Sequence, residues 1–128
     1  MASTGMVIDT SIFIEYLRSK DRTNTALAKL PTETVLYVSS ITAFELYSGA
    51  TDLKKRQDID TLLQGVFILP LNTDIAKNAG FIYQDLRKRG NMIEVTDILI
   101  EATALENDLP IKTLNTNHFQ RIPGLVIL

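Results

Sequence analysis

The sequence contains no cysteine and only one histidine, and these two scarcities limit its chemistry. Without cysteine the chain can form no disulfide, no thiolate zinc site and no cysteine nucleophile. A single histidine excludes any mechanism that requires a pair of histidines. We therefore expect the chemistry of this protein to depend on its carboxylates.

Long hydrophobic runs are also missing from the chain. No apolar run approaches the roughly 20 residues that a membrane-spanning helix requires. The first residues lack the basic region and the apolar stretch of a signal peptide. We therefore expect a soluble, cytoplasmic protein that makes no membrane contact.

The chain is short and carries little net charge. Its 128 residues, 45% of them hydrophobic and 22% charged, fit one globular domain over 1–128, with a flexible start at 1–5. The formal net charge of −2 argues against a generic nucleic-acid coat protein. It does not argue against a local basic surface.

Two basic triplets could form such a surface. They are Lys54, Lys55 and Arg56, and Arg87, Lys88 and Arg89. One interpretation is that they bind phosphates while an acidic site cuts the backbone between them. The more common alternative for a charge run is a solvated helix face or helix C-terminus. The single histidine, His118, has a similar pair of interpretations, as a structural residue or a phosphate contact.

Short apolar runs alternate with stretches of helical periodicity along the whole chain. The predicted strands are 6–8, 34–38, 66–69, 111–113 and 125–127, and the predicted helices are 10–18, 24–30, 41–48, 53–63, 73–88 and 95–107. Strands that alternate with helices are typical of a parallel sheet covered on both faces. The sequence therefore predicts an α/β fold whose central parallel sheet has about five short strands.

Four polar residues interrupt this apolar background at element ends. They are Asp9, Glu45, Asp97 and Asn115, and hydroxyl residues lie near them at Thr10, Ser11, Ser39 and Thr113. In open parallel sheets, ligands bind outside the carboxyl ends of the strands, and these residues belong to that edge. A carboxylate is costly to bury alone, so recurring buried carboxylates are expected to share a cation. Oxygen ligands of this kind suit Mg²⁺ or Mn²⁺.

Each of these residues also has a simpler interpretation. Asp9 could be only a helix N-cap, and Asp97 could only stabilise the positive end of a helix dipole. Asn115 could form turn hydrogen bonds, and a buried Glu45 could pair with a basic side chain. Glu101 lies one turn after Asp97, where two acids repel each other. It therefore points to solvent or joins the cation site.

The ordered combination of these segments resembles the PIN-domain ribonucleases of the VapC toxin type. The segments that carry the resemblance are 7–11, 39–46 with Gly49, 97–104 and 113–119, and the likeness extends over 6–128. It implies a three-layer α/β/α fold, Mg²⁺ or Mn²⁺ dependence and an RNA substrate. It also implies a homodimer and a VapB-like antitoxin that occupies the active-site groove.

The resemblance also assigns roles to individual residues. Asp9, Glu45 and Asp97 match the three core acids of the family. Asn115 stands where many PIN domains have aspartate, although VapC-like members often have asparagine there. Glu101 stands where the relatives usually have a small residue, so it either adds an acid to the site or lies at its rim.

Four alternatives remain to be weighed, two within the PIN fold and two outside it. A catalytically silent PIN domain that binds RNA or a protein, and a housekeeping PIN nuclease, would share these motifs. A haloacid-dehalogenase phosphatase needs a second aspartate two residues after the first, where this chain has Ser11. A receiver module needs a phosphoacceptor aspartate after its middle strand, where this chain has Pro70, Leu71 and Asn72.

Overall fold

A computed structural model describes residues 5–128 of the chain. Its strands are β1 (Gly5–Ile8), β2 (Val35–Ser39), β3 (Phe67–Leu69) and β4 (Ile111–Lys112). Its α-helices are α1 (Thr10–Arg18), α2 (Ser40–Ser48), α3 (Leu53–Leu63), α4 (Thr73–Lys88), α5 (Val95–Glu106) and α6 (Thr116–Phe119), and a short 3-10 helix spans Arg22–Asn24. None of the helices within this part of the chain is long and apolar enough to cross a membrane.

The strands form a parallel sheet in the order β3-β2-β1-β4. Residues of β1 alternate between its two faces, as the pleat of a strand requires. Met6 and Ile8 pack with residues of α1, α2 and α3, whereas Val7 packs with Ile100 of α5 and with Phe119 of α6. Helices therefore cover both faces of the sheet, which confirms the predicted α/β/α architecture.

The predicted fifth strand, 125–127, is reduced to one parallel bridge between Ile111 and Ile127. Ile111 donates to the Val126 carbonyl at 2.9 Å and accepts from Leu128 at 2.9 Å, so the chain end does lie beside β4. Gly124, with φ of 83°, turns the chain just before this segment. The segment pairs with β4 through a single bridge, so it is not a regular strand.

The predicted helix over 24–30 is wrong. In this segment the Thr25 hydroxyl donates to the Arg22 carbonyl at 2.8 Å, and the Ala26 amide donates to the Glu15 carboxylate at 2.7 Å. Side chains that bond to the backbone in this way compete with the helical hydrogen-bond ladder. The result is the 3-10 helix followed by a series of turns.

The predicted flexible start at 1–5 is mostly outside the described residues. Its last residue, Gly5, is ordered within β1 and aligns with Val35 of β2. A β-carbon at Gly5 would lie 3.0 Å from the Tyr37 ring, so a larger residue there would require that ring to shift slightly. The prediction was therefore wrong for Gly5.

Candidate active site

The end of β1 delivers Asp9 into the interior of the carboxyl edge of the sheet. Asp9 has an extended backbone and is the N-cap of α1, and only 1% of its surface is exposed. Its Oδ2 accepts hydrogen bonds from the Ser11 hydroxyl at 2.6 Å and from the Thr113 hydroxyl at 2.8 Å. Asp9 therefore caps α1, as the simpler interpretation predicted. Asp9 Oδ1, however, is buried and has no hydrogen-bond partner.

Glu45 approaches the same edge from the middle of α2. The Thr10 hydroxyl, one residue after Asp9, donates to Glu45 Oε1 at 2.8 Å. The Thr10 oxygen also lies 3.0 Å from the hydroxyl oxygen of Thr42, which is completely buried. Thr42 and Thr10 thus fix the Glu45 carboxylate relative to Asp9. Sequence reasoning missed Thr42, although its position one turn before Glu45 on the helix could have indicated it.

Asp97 enters the site from the first turn of α5. Its Oδ2 lies 3.2 Å from Nδ1 of His118, in α6. Burial raises the pKa of Asp97, the His118 contact lowers it, and the charges of Asp9 and Glu45 raise it further. Because the charges of Asp9 and Glu45 both act on Asp97, the three acids share one region of negative potential.

Glu101 lies one turn beyond Asp97 on α5 and is completely buried. Neither of its carboxylate oxygens has a hydrogen-bond partner. Burial, assisted by the negative charges of Asp97 and Asp9, raises the pKa of Glu101 to about 9. The alternative in which Glu101 points to solvent is therefore wrong.

These carboxylates fit a hard divalent cation by their chemistry. Three buried acceptor oxygens, Asp9 Oδ1 and both oxygens of Glu101, have unused lone pairs in an anionic region. Within residues 5–128 no three acidic or histidine side chains form a closed metal-binding cluster. The acids thus surround an anionic region without forming a complete coordination sphere, and the region supplies the oxygen donors that Mg²⁺ or Mn²⁺ prefers.

A family model described as the PIN domain matches residues 6–125. The chain belongs to the PIN domain family. Over 97% of its length it is 34% identical to Ribonuclease VapC of Rickettsia bellii, covering 95% of that protein. It is also 30% identical to Ribonuclease VapC1 of Methanocaldococcus jannaschii over 91% of its length, covering 80% of that relative. The resemblance to VapC-type PIN domains is thus confirmed by sequence comparison.

Solved structures give the same result for this PIN domain. It matches VapBC-1 from nontypeable Haemophilus influenzae with a TM-score of 0.83 and 27% identity, over 98% of this chain and 97% of that one. It matches the DNA-bound VapBC from Salmonella typhimurium with a TM-score of 0.85 and 26% identity, over 99% and 98%. These likenesses exclude the phosphatase and receiver alternatives.

Two polar residues of the PIN domain lie outside the hydrogen-bonded cluster of acids. Asn115, which the resemblance matched to the family's fourth acidic position, is exposed, and its backbone amide donates to the Thr113 hydroxyl at 2.9 Å. No hydrogen bond joins its side chain to the acids among the described residues. The buried Ser39 hydroxyl accepts from the Ile41 amide at 3.0 Å and so caps α2.

A cleft of about 330 Å³ opens beside Glu45, between α1, α2 and α3. Lys55 of the first basic triplet lines it, whereas Lys54 and Arg56 are exposed on α3 without lining it. Arg18 and Arg22 also line the cleft. Sequence reasoning missed both arginines, because isolated basic residues near a helix end carry no motif.

The second basic triplet lies at the end of α4. Arg89 forms an ion pair with Asp85 at 2.8 Å and donates to the Arg121 carbonyl at 3.0 Å. Arg121 follows α6, the helix that places His118 against Asp97. Arg87 and Lys88 are exposed beside Arg89. The second triplet is therefore a helix C-terminus, which Arg89 ties to the segment after α6.

Proposed function

We propose that this PIN domain is a metal-dependent endoribonuclease that acts as the toxin of a toxin–antitoxin pair. It would hydrolyse RNA phosphodiester bonds, with tRNA or rRNA as substrate, using water activated by Mg²⁺ or Mn²⁺. The observation that carries this proposal is the convergence of Asp9, Glu45 and Asp97 from three separate elements, with buried carboxylate oxygens left unpaired. The names of its relatives, Ribonuclease VapC, support the substrate class.

Asp9 and Asp97 are the residues that would hold the cation. A bound divalent cation lowers the pKa of water and neutralises charge that develops on phosphate oxygens. The Ser11 and Thr113 hydroxyls both occupy Oδ2 of Asp9, so they orient Oδ1 as its free donor oxygen. His118 orients Asp97 in the same way through Oδ2.

Glu45 has a different environment, because it is only partly buried and borders the cleft. Thr10 holds one of its oxygens at 2.8 Å. The carboxylate is therefore placed to bind the cation or to orient the attacking water as a base. In-line attack by water leaves a 5′-phosphate and a 3′-hydroxyl on the RNA products.

Two groups of basic residues are candidates for phosphate contacts. Arg18, Arg22 and Lys55 line the cleft beside Glu45. Arg87, Lys88 and Arg89 lie at the end of α4, where Arg89 contacts the carbonyl of Arg121, which follows α6. An RNA backbone that crosses the carboxyl edge would contact both groups, since phosphate contacts position a nucleic acid independently of its sequence.

The proposed partners are a VapB-like antitoxin and a second copy of this chain. Similar structures are described as VapBC or toxin–antitoxin complexes, including one from Klebsiella pneumoniae. The homodimer follows from the family resemblance. A short reading frame beside the gene that encodes a DNA-binding protein would favour the toxin over a housekeeping nuclease.

Cleavage of total tRNA and rRNA by the purified protein tests the proposal. Discrete fragments are expected with Mg²⁺ or Mn²⁺, and they should disappear with EDTA or in Asp9→Ala. Glu106→Gln is a suitable control, because Glu106 is an exposed acid at the far end of α5. A 2′,3′-cyclic product would contradict the metal route. Intact RNA, with folded protein free of antitoxin, would favour a silent binding domain.

A further inference from the structure

Glu101 is the most anomalous side chain in the described part of the molecule. It is a carboxylate with no exposed surface, and both oxygens lack a hydrogen-bond partner. Buried acids are normally paired with a base, bonded to amides or bound to a metal. None of the ion pairs formed within residues 5–128 involves Glu101.

The charged neighbours of Glu101 indicate where its carboxylate faces. The side chains whose charges act on its carboxyl group are Asp97, one turn earlier on α5, and Asp9, at the end of β1. Asp9 Oδ1 is likewise buried and unpaired. Glu101 is therefore a buried and unpartnered group directed into the acidic cluster, rather than an isolated defect of the core.

Position 115 does not supply an acid to the site. Asn115 is neutral and exposed, and it contributes a backbone hydrogen bond to Thr113 instead of a carboxylate. A hard divalent cation is bound through several oxygens, and its affinity increases with the number of charged ligands. The acids available to the site are thus Asp9, Glu45, Asp97 and Glu101.

We infer that Glu101 is a direct cation ligand, which together with Asp9 Oδ1 and Asp97 binds a divalent metal ion from the α5 side. This inference depends on the proposed function, since it assigns a further ligand to the same site. The rival explanation is a neutral carboxylic acid buried as part of the core. The two differ in whether the negative charge of Glu101 is needed for metal binding.

Glu101→Gln separates these explanations, because it keeps the shape of the side chain and removes its charge. Mn²⁺ affinity and stoichiometry of the full chain would be measured without RNA, by electron paramagnetic resonance and calorimetry. We expect Glu101→Gln to bind Mn²⁺ at least tenfold more weakly, while Glu106→Gln on the same helix binds within twofold of the parent protein. The thermal midpoint of Glu101→Gln in EDTA should equal or exceed that of the parent protein.

Direct ligation is tested by the anomalous difference map of Mn²⁺-loaded crystals. A peak within roughly 2.0–2.6 Å of a Glu101 oxygen is expected, the range for hard divalent cations. If Glu101→Gln does not fold, Glu101→Ala replaces it. Unchanged Mn²⁺ affinity in the folded variant, or a peak beyond ligand distance from Glu101, overturns the inference.

The failure of this inference differs from failure of the proposed function. If Asp9→Asn abolishes Mn²⁺ binding and Glu101→Gln does not weaken it, Glu101 is a core acid and the nuclease site remains. If the parent protein binds no Mn²⁺, both proposals are wrong. RNA cleavage with EDTA present would contradict the metal-dependent function by itself.

Discussion

Asp9 and Glu101 are equally inaccessible, but the protein treats their carboxylates in opposite ways. Asp9 receives two hydroxyl hydrogen bonds on Oδ2 and retains one free oxygen. Glu101 receives none on either oxygen. Hydrogen bonds to a carboxylate favour its charged form, whereas burial without them favours the neutral form. The Asp9 carboxylate is therefore held in position before any ligand arrives, and the Glu101 carboxylate is not.

This difference divides the site into two sides. On one side hydrogen bonds hold the acids in place, and on the other side the acids have few or no hydrogen-bond partners. Ser11, Thr113 and Thr10 hold the acids near β1 and α2 in place. On the α5 side, Asp97 has one contact, with the partly exposed His118, and Glu101 has no hydrogen-bond partner. We expect the first side to have the larger effect on cleavage and the second to determine how the stability of the protein varies with pH.

The largest effect is expected from removing the Asp9 carboxylate. Asp9→Asn preserves the size of the side chain and removes its charge, so RNA cleavage should fall by about 100-fold or more, in line with the loss of a preorganised electrostatic group. Single-turnover cleavage with saturating Mn²⁺ measures this loss. Activity within a few-fold of the parent protein would show that Asp9 is only the N-cap of α1.

Glu101 should make the metal-free protein less stable as pH rises. Its pKa is raised from 4.5 in the unfolded chain to about 9 in the fold. Between these two pH values the folded state holds a proton that the unfolded state has released. Its contribution to stability is therefore complete below about pH 4.5 and declines until pH exceeds about 9, a change on the order of a few kcal/mol.

Urea unfolding in EDTA between pH 5 and pH 9 measures this linkage. Glu101→Gln cannot lose the proton, so its stability should vary less with pH and should exceed that of the parent protein at pH 8. The control Glu106→Gln should follow the parent protein. Parallel curves for the parent protein and Glu101→Gln would mean that Glu101 is not a buried, protonated acid.

A smaller effect is expected from Thr113→Val, which removes one of the two hydroxyls bound to Asp9 Oδ2. Residues that orient a metal ligand typically contribute 10–100-fold to metal affinity or activity, and we expect a loss near the lower end because Ser11 remains. Mn²⁺ titration and cleavage assays would both report it. Ser11→Ala provides the matched variant, and a loss in Thr113→Val alone would point to the Asn115 amide that Thr113 also binds.

The parts of the fold that the sequence predicted well are those specified by local signals. Helices α1, α3 and α4 have the predicted bounds because Asp9, Asp52 and Asn72 cap them with their own side chains. The helix expected over 24–30 failed because Glu15, a residue outside it, captures one of its amides. The four-residue α6 is too short to show periodicity.

For the candidate site, the sequence predicted only that the acids meet at the carboxyl edge of the sheet. The positions of Asp9 after a strand, Glu45 about one turn into a helix and Asp97 in a first helical turn predicted that the three acids lie together. Their catalytic roles stay predictions. The sequence left undecided whether Glu101 is buried or exposed, because its spacing from Asp97 on a helix is compatible with both. Asn115 was expected among the acids, but the backbone after β4 leaves its side chain exposed.

The smallest effect is expected from His118→Ala. Its Nδ1 lies 3.2 Å from Asp97 Oδ2, but 41% of the His118 side chain is exposed to solvent, so water screens the contact and can replace it. We expect cleavage and Mn²⁺ affinity to fall by about three-fold, less than in Thr113→Val, because the hydroxyl of Thr113 lies in the interior where water cannot substitute for it. Parallel measurements of kcat/KM on one RNA substrate would rank the two variants. A loss in His118→Ala that exceeds the Thr113→Val loss would reverse the proposed division, since the α5 side would then control the rate through direct contact between His118 and the substrate.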